Sequence, residues 1–256
     1  AIEWADATVN FAWGCDKVSE GCEKCYMFRL SKRFGKSPEF APRKIDYVLR
    51  DIRKLPKEAI VFTNSMTDTF HKDLDHQTIF KWMKIMENEP THQWIVLTKR
   101  INRALEYSKK FPIPENVWIG TSIENKKNLH RLETLKKIDA HIKFISFEPL
   151  LEDIGDVDLT GIDWAIVGGE SDFSDPRPFD EQWARNLREI CTRDNVAFFY
   201  KQSGGKRKQQ IGEHSVWGTN ILDDRKYLEM PAKHVLRTKE STLLTPDTFN
   251  ATQTKL

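Results

Sequence analysis

The sequence predicts an α/β fold, a complete or partial TIM-type (βα) barrel with parallel strands. Three observations carry that expectation. Short apolar segments recur along the chain, and runs such as Ile95-Val96-Leu97 and Ala165-Ile166-Val167 are continuous, as strands buried on both faces of a parallel sheet require. Amphipathic helical patterns lie between them. The chain of 256 residues, 39% hydrophobic, is long enough for one barrel-sized core.

In chain order the expected strands are Thr8–Trp13, Ile60–Asn64, Trp94–Thr98, Val117–Thr121, Lys143–Phe147, Trp164–Gly168 and Val196–Lys201, with an eighth near Val216–Leu222. Each is rich in β-branched or aromatic residues and runs into a polar or Gly-containing corner. Ile79, Trp82, Met83 and Met86 share one helical face, as do Leu129, Leu132 and Leu135; Trp183, Leu187, Ile190 and Cys191 form another. Alternation of this kind predicts βαβ units closing toward a barrel. Residues 1–211 are expected to form one barrel-like domain. From about Gly212 the rhythm is lost, so 212–256 is expected to be an extension, with a partly disordered Thr- and Lys-rich end at Thr238–Leu256.

Composition narrows the function classes. A net charge of +2 with 30% charged residues argues against a highly charged nucleic-acid coat protein, although a local basic patch such as Lys206-Arg207-Lys208 is compatible with a phosphate contact. No apolar run reaches the roughly 18 residues of a membrane span and no N-terminal signal pattern appears. Four cysteines grouped three to one do not form a disulfide framework, and the chain reads as cytoplasmic.

Three of those cysteines, Cys15, Cys22 and Cys25, stand in a C-x6-C-x2-C loop after the first strand. Three thiolates from one loop can hold three corners of a cubane iron–sulfur cluster and leave the fourth iron open, whereas a structural zinc closes with four protein ligands. A zinc site built here needs a distant fourth ligand. Cys191 lies on an apolar helix face, where a free cysteine packs as a small hydrophobe. His71, His76 and His92 show no metal-ligand spacing.

In a βα barrel the working residues sit at the C-terminal ends of strands. The corners there read Thr63-Asn64-Ser65-Met66-Thr67-Asp68, Thr98-Lys99-Arg100, Gly120-Thr121-Ser122-Ile123-Glu124-Asn125, Ser146-Phe147-Glu148-Pro149, Gly168-Gly169-Glu170-Ser171 and Lys201-Gln202-Ser203-Gly204-Gly205. One such corner is an ordinary helix cap. Six in register are expected to line a functional mouth. Glu148 points into it and needs a cationic partner such as Lys99 or Lys201, or a ligand, because an unpaired buried carboxylate is costly. Gly168-Gly169 is either a tight turn or a place where backbone approaches a ligand, with Glu170 beside it.

The run Ile2-Glu3-Trp4-Ala5-Asp6-Ala7-Thr8-Val9-Asn10, the segment Gly14-Cys15 through Cys25-Tyr26, Leu97-Thr98-Lys99-Arg100, Asn116-Val117-Trp118-Ile119-Gly120, Glu148-Pro149-Leu150-Leu151, Val167-Gly168-Gly169-Glu170-Ser171, Arg177-Pro178 and Phe198-Phe199-Tyr200-Lys201-Gln202 occur in this order. Together they resemble the phage Gp37/Gp68 family, a domain of unknown function, over roughly residues 2–218. That family is grouped with TIM-barrel proteins, and its cysteine loop is similar to that of radical S-adenosylmethionine (SAM) enzymes. The resemblance therefore implies a radical-SAM-like fold. The common radical-SAM loop is C-x3-C-x2-C, whereas six residues separate Cys15 from Cys22 here. The Gly-Gly-Glu at 168–170 is similar to a motif those enzymes use for the SAM amino group, but it follows about the sixth strand instead of the second, where Thr63–Met66 stands.

What the resemblance implies is a [4Fe-4S] enzyme that reductively cleaves SAM to a 5′-deoxyadenosyl radical, which takes hydrogen from a substrate. Cys15, Cys22 and Cys25 are then the cluster ligands. Asn64 and Ser65 are expected near the methionyl amino group, and Thr121, Ser122 and Glu124 near the ribose or carboxylate. Lys99, Gly168 and Gly169 complete the expected cofactor contacts. Glu148, Glu170 and Lys201 are the candidate catalytic residues, able to meet either SAM or substrate. An electron donor such as flavodoxin or ferredoxin is the implied partner; the sequence does not name the substrate, and a nucleotide or nucleic acid is compatible with the family's phage association. Two other classes compete: a zinc-stabilised nucleic-acid-binding or processing protein, and a redox-inert barrel acting as a partner subunit.

Overall fold

A computed structural model describes residues 3–33, 42–44, 47–211 and 214–231. Its strands are β1 (Ala7–Val9), β2 (Ala12–Trp13), β3 (Arg43–Lys44), β4 (Ile60–Thr63), β5 (Gln93–Thr98), β6 (Val117–Ser122), β7 (Lys143–Phe147), β8 (Trp164–Gly168), β9 (Ala197–Gln202), β10 (Lys208–Ile211) and β11 (His214–Trp217). The helices are α1 (Tyr26–Arg33), α2 (Val48–Ile52), α3 (His76–Glu87), α4 (Ile101–Ser108), α5 (His130–Lys136) and α6 (Glu181–Arg193). Seven strands form one sheet in the order β1-β4-β5-β6-β7-β8-β9, with every neighbouring pair parallel. The sheet curls into a half-barrel, the partial form of the expected architecture.

The continuous apolar runs arise because both faces of the sheet are covered. Along each strand alternate side chains point to opposite faces. Val61, Trp94, Val96, Val117, Ile119, Ile145, Ala165, Val167, Phe198 and Tyr200 belong to the core under the helices. The expected faces of α3, α5 and α6 lie in or against that same core through Ile79, Trp82, Met83, Met86, Leu129, Leu132, Leu135, Trp183, Leu187, Ile190 and Cys191. Asp75 caps α3 by accepting from Thr78 N at 2.7 Å, and Asp180 caps α6 by accepting from Gln182 N at 2.8 Å. Between β7 and β8 no helix forms among the described residues; Leu150, Ile154, Leu159 and Ile162 fill that space.

The residues of opposite parity, Ile60, Phe62, Ile95, Trp118, Phe144, Trp164, Ile166 and Phe199, make a second core on the concave side. Trp4 plugs it, edge-on to Phe62 at 4.9 Å and to Trp164 at 6.0 Å between ring centroids. Gly120 is required here: a β-carbon on it would meet the Phe144 ring at 2.5 Å. Trp4 and Phe62 of this aromatic cluster line a cavity together with residues at the C-terminal strand ends.

The expected eighth strand is not a barrel strand. Residues 214–217 pair antiparallel with 208–211 as a separate hairpin, with Val216 opposite Gln209. Of the expected extension, residues 222–229 return to the sheet: Leu228 bridges Phe199, Tyr227 O accepts from Tyr200 N at 2.9 Å, and Glu229 O accepts from Trp164 Nε1 at 2.9 Å. They cover the β9 edge that an eighth strand would otherwise occupy. Residues 232–256, including the Thr238–Leu256 end, lie outside the described residues. No helix among the described residues is long and apolar enough to cross a membrane.

Candidate functional site

The loop after β1 and β2 lies across the C-terminal end of the half-barrel. Gly14 N donates to Met66 O at 3.1 Å, which seats the start of the loop on the β4 corner. A single 3-10 turn at Glu20–Cys22 and a bond from Cys25 N to Cys22 O at 3.3 Å then lead into α1. Cys22, Met27, Phe28 and Met66 form one buried cluster, with Cys15 and Cys25 packed against it. All three cysteines are free and line a cavity of about 760 Å3. Cys191, the remaining thiol, sits in the core under the helices. Three cysteines of one loop therefore line one cavity while the fourth lies elsewhere, so a zinc site of four cysteines does not form here. Burial, and next the Asp68 carboxylate, push the Cys15 thiol up to about 12, with Arg100 pulling the other way. Burial also raises Cys25.

Three clamps hold the loop. Glu124, just past β6, is fully buried, and its carboxylate accepts from Ser19 Oγ at 2.8 Å, Asn128 Nδ2 at 2.8 Å and Arg131 Nη1 at 3.0 Å, as well as from Lys99 Nζ. Burial pushes the Glu124 carboxyl up, but Lys99 and Arg131 outweigh it and hold it below the usual carboxylate range. On the β4–β5 side, Arg100 donates to Asp68 Oδ2 at 3.1 Å, to Asp16 O at 3.1 Å, to the Asp16 carboxylate and, weakly, to Cys15 Sγ at 3.8 Å. Asp68 is fixed in turn by Thr98 Oγ1 at 2.6 Å and Lys99 N at 3.0 Å. On the β8 side, Arg177 binds Glu170 through its backbone N and Nε at 3.0 Å each and reaches Glu20 O in the loop at 3.0 Å. The long six-residue arm between Cys15 and Cys22 is thus tied at Asp16, Ser19 and Glu20.

The structure sorts the expected site residues by what their polar atoms already do. Glu148 and Lys201 face the cavity as a pair, with Lys201 Nζ 2.7 Å from Glu148 Oε1, while Glu148 Oε2 accepts from Ser146 Oγ at 3.0 Å. Gly168 makes room for this carboxylate, since a β-carbon there would lie 2.9 Å from Glu148 Oε1. Ser122 and Gly169 line the cavity too. Gly169 is also a close turn, because a β-carbon on it would be 2.1 Å from Ser203 O. Asn64 reaches the wall, but its side chain accepts from Phe11 N at 2.8 Å and donates to Thr69 Oγ1 at 2.8 Å. Ser65 donates to Asn10 Oδ1 at 3.2 Å, and its carbonyl accepts from Tyr26 OH at 2.7 Å. Lys99 pairs with Glu124 and Glu170 with Arg177, so both act first on the loop. Thr121 and Glu124 are not among the cavity-lining residues. Thr121 has the opposite parity to Gly120 and Ser122 and donates to Thr98 O at 2.8 Å inside the sheet.

Sequence reasoning does not single out Asp16 or Arg177 as site residues, and it sets His71 aside as a metal ligand for want of spacing. Ligand atoms of Cys15, Asp16 and His71 lie within 4.8 Å of one another. His71 Nε2 is 2.5 Å from Asp16 Oδ1, and burial, then Arg100, hold its imidazole below the ordinary value. The sequence carried no signal for this, since His71 is 55 residues from Asp16 and lacks any ligand spacing.

A family model described as "Protein of unknown function (DUF5131)" matches residues 1–231. Searches among curated proteins and among solved structures found no match.

Proposed function

The chain belongs to the DUF5131 family, and we propose that it is a radical-SAM-type enzyme. The finer kinship with the phage Gp37/Gp68 proteins and a radical-SAM-like fold belong to the same proposal. One observation carries it: three free cysteines of one loop share a cavity wall at the C-terminal mouth of a parallel half-barrel, with no fourth thiol beside them. Cys15, Cys22 and Cys25 would hold a [4Fe-4S] cluster. When bound, the cluster and SAM supply one-electron cleavage of the sulfonium and a 5′-deoxyadenosyl radical.

The rest is the work of this chain. Glu124, Arg100 and Arg177 fix the loop so that the thiols stay on the cavity wall. Lys201 presents a cation and Glu148 an anion toward the same space, a pair suited to opposite ends of a zwitterion such as an amino acid moiety. Ser65 and Gly169 form further cavity wall. Trp4 and Phe62 give the cavity an apolar floor. A flavodoxin- or ferredoxin-type donor supplies the electron, and a reducing cytoplasm suits free thiols that line a cavity.

A zinc-stabilised nucleic-acid-binding or processing protein is the second reading, favoured by the proximity of Cys15, Asp16 and His71. Arg100 sits in that same group and already neutralises Asp16, which disfavours a further cation there.

Anaerobic purification decides between them. The enzyme reading expects a brown protein with broad absorption, about four irons per chain, and 5′-deoxyadenosine released from SAM on reduction. A colourless protein holding one zinc after iron–sulfide reconstitution overturns it.

A further inference from the structure

The cavity rim on the β8–β10 side carries an aromatic and basic patch apart from the three cysteines and the clamps on their loop. Phe173 is 64% exposed, a large apolar ring left in water beside a polar mouth. It packs edge-on against Trp217 of β11, with ring centroids 4.5 Å apart. Both rings line the same cavity as the cysteines. Each also carries a cation: the Arg29 guanidinium lies 5.0 Å from the Phe173 centroid, and Lys208 Nζ lies 5.7 Å from the Trp217 centroid.

Charge at this rim is one-sided. Among the acids deeper in the cavity, Glu148 is paired with Lys201, Glu170 with Arg177, and Asp16 and Asp68 with Arg100, while Glu3 accepts from Asn220 Nδ2 at 2.7 Å. Arg29 is shared with Asp172 at 3.1 Å. Lys208 and Arg33, which also line the cavity, have no acidic partner among the described residues. A ligand drawn here needs a flat face for the aromatic pair and negative charge for the cations. A quaternary ammonium or methylated lysine is disfavoured, because cations already stand by both rings.

We propose that Phe173 and Trp217, with Arg29, Arg33 and Lys208, form the substrate platform, and that the substrate is a nucleotide unit of a single-stranded nucleic acid. A base stacks on the exposed ring while the flanking phosphates meet the cations, as in sequence-tolerant single-strand binding. The hairpin β10–β11 then has a purpose: it carries Lys208 and Trp217 to the mouth, which a closing barrel strand would not do. The inference rests on the enzyme reading only for calling this ligand a substrate; the binding itself does not depend on the cluster.

The test is fluorescence anisotropy of the full chain with short labelled single-stranded DNA and RNA oligonucleotides, competed with unlabelled AMP. Oligonucleotide binding is expected to weaken at least about tenfold in Phe173→Ala, from loss of stacking, and to lose part of its salt dependence in Lys208→Glu. Phe173 is exposed, so its variant keeps the fold, checked by circular dichroism. AMP competing as well as an unlabelled oligonucleotide assigns the same base-and-phosphate chemistry to a free nucleotide and overturns the polymer. Absence of binding to every probe, or affinity unchanged in both variants, overturns the platform. Iron and sulfide analysis of the unmodified protein answers the enzyme question separately, so either reading can fail without the other.

Discussion

A β-carbon placed on Gly21 would lie 2.5 Å from both Cγ and Oε1 of Glu124, so the cysteine loop and the end of β6 meet with no side chain between them. Glu124 cannot swing aside, because Ser19, Lys99, Asn128 and Arg131 hold it from four directions. Gly21→Ala must therefore move the loop. We expect a loss of about 1–3 kcal/mol in stability and a sharp fall in iron retained after anaerobic reconstitution. Thermal melts and elemental analysis measure both; an unchanged melt with full iron content would mean that the loop does not depend on this contact.

Removing the Glu124 charge has a larger effect. Glu124→Gln leaves Arg131, itself buried, without its carboxylate, and breaking a buried pair in this way costs about 3–5 kcal/mol. The pH dependence has a definite sign. The Glu124 carboxyl is held below its ordinary value of 4.5, so its contribution is complete above that pH and is lost as pH falls through the lower folded value. Urea melts from neutral pH down to about pH 3 are expected to show the native chain losing its advantage over Glu124→Gln as the solution becomes acid. A constant gap across that range contradicts the assignment.

The barrel strands were legible because a parallel sheet buried on both faces writes itself as apolar runs, and Ile95-Val96-Leu97 and Ala165-Ile166-Val167 did so. Val216 was misleading: it is buried, yet it pairs with Gln209 in a hairpin whose other strand is polar and gave no period-2 pattern. At the mouth, strand ends were legible but pairings were not. Lys99 finds Glu124 and Ser19 finds the same carboxylate from 105 residues away, and no local pattern encodes such partners. Thr121 was assigned to the mouth by proximity in sequence, though its parity with Ser122 already pointed it the other way.

Cys22 and Cys191 are both buried, but they lie in different parts of the molecule. Cys22 belongs to the cluster of Met27, Phe28 and Met66 on the cavity wall, and Cys191 to the core under α6. Cys22→Ala is expected to abolish cluster loading while leaving a folded chain. Cys191→Ala is expected to lower stability by about 1 kcal/mol, the cost of a small cavity, with iron content intact. Retention of metal that requires Cys191 would close the site with a fourth thiol and remove the open-iron mechanism.

The pair Glu148 and Lys201 offers the most direct view of chemistry at the mouth. Their 2.7 Å contact is part-buried, Ser146 orients the carboxylate, and Gly168 leaves space for it. Among the described residues neither shares a hydrogen bond or ion pair with Glu124, Arg100 or Arg177, so changing them separates ligand handling from cluster assembly. Lys201→Met removes the cation and is expected to keep full iron and sulfide content while slowing 5′-deoxyadenosine release from SAM by about 10–100-fold, the range for loss of one hydrogen bond to a charged group. Glu148→Gln keeps the shape and the Ser146 contact but not the charge, and its loss is expected to fall in the same range. Lys201→Arg preserves the cation at altered geometry, so partial recovery of that release is expected. If Lys201→Met instead loses iron, the pair belongs to the scaffold of the cluster; if Lys201→Met and Glu148→Gln both release 5′-deoxyadenosine as the native chain does, neither group meets the reacting molecules.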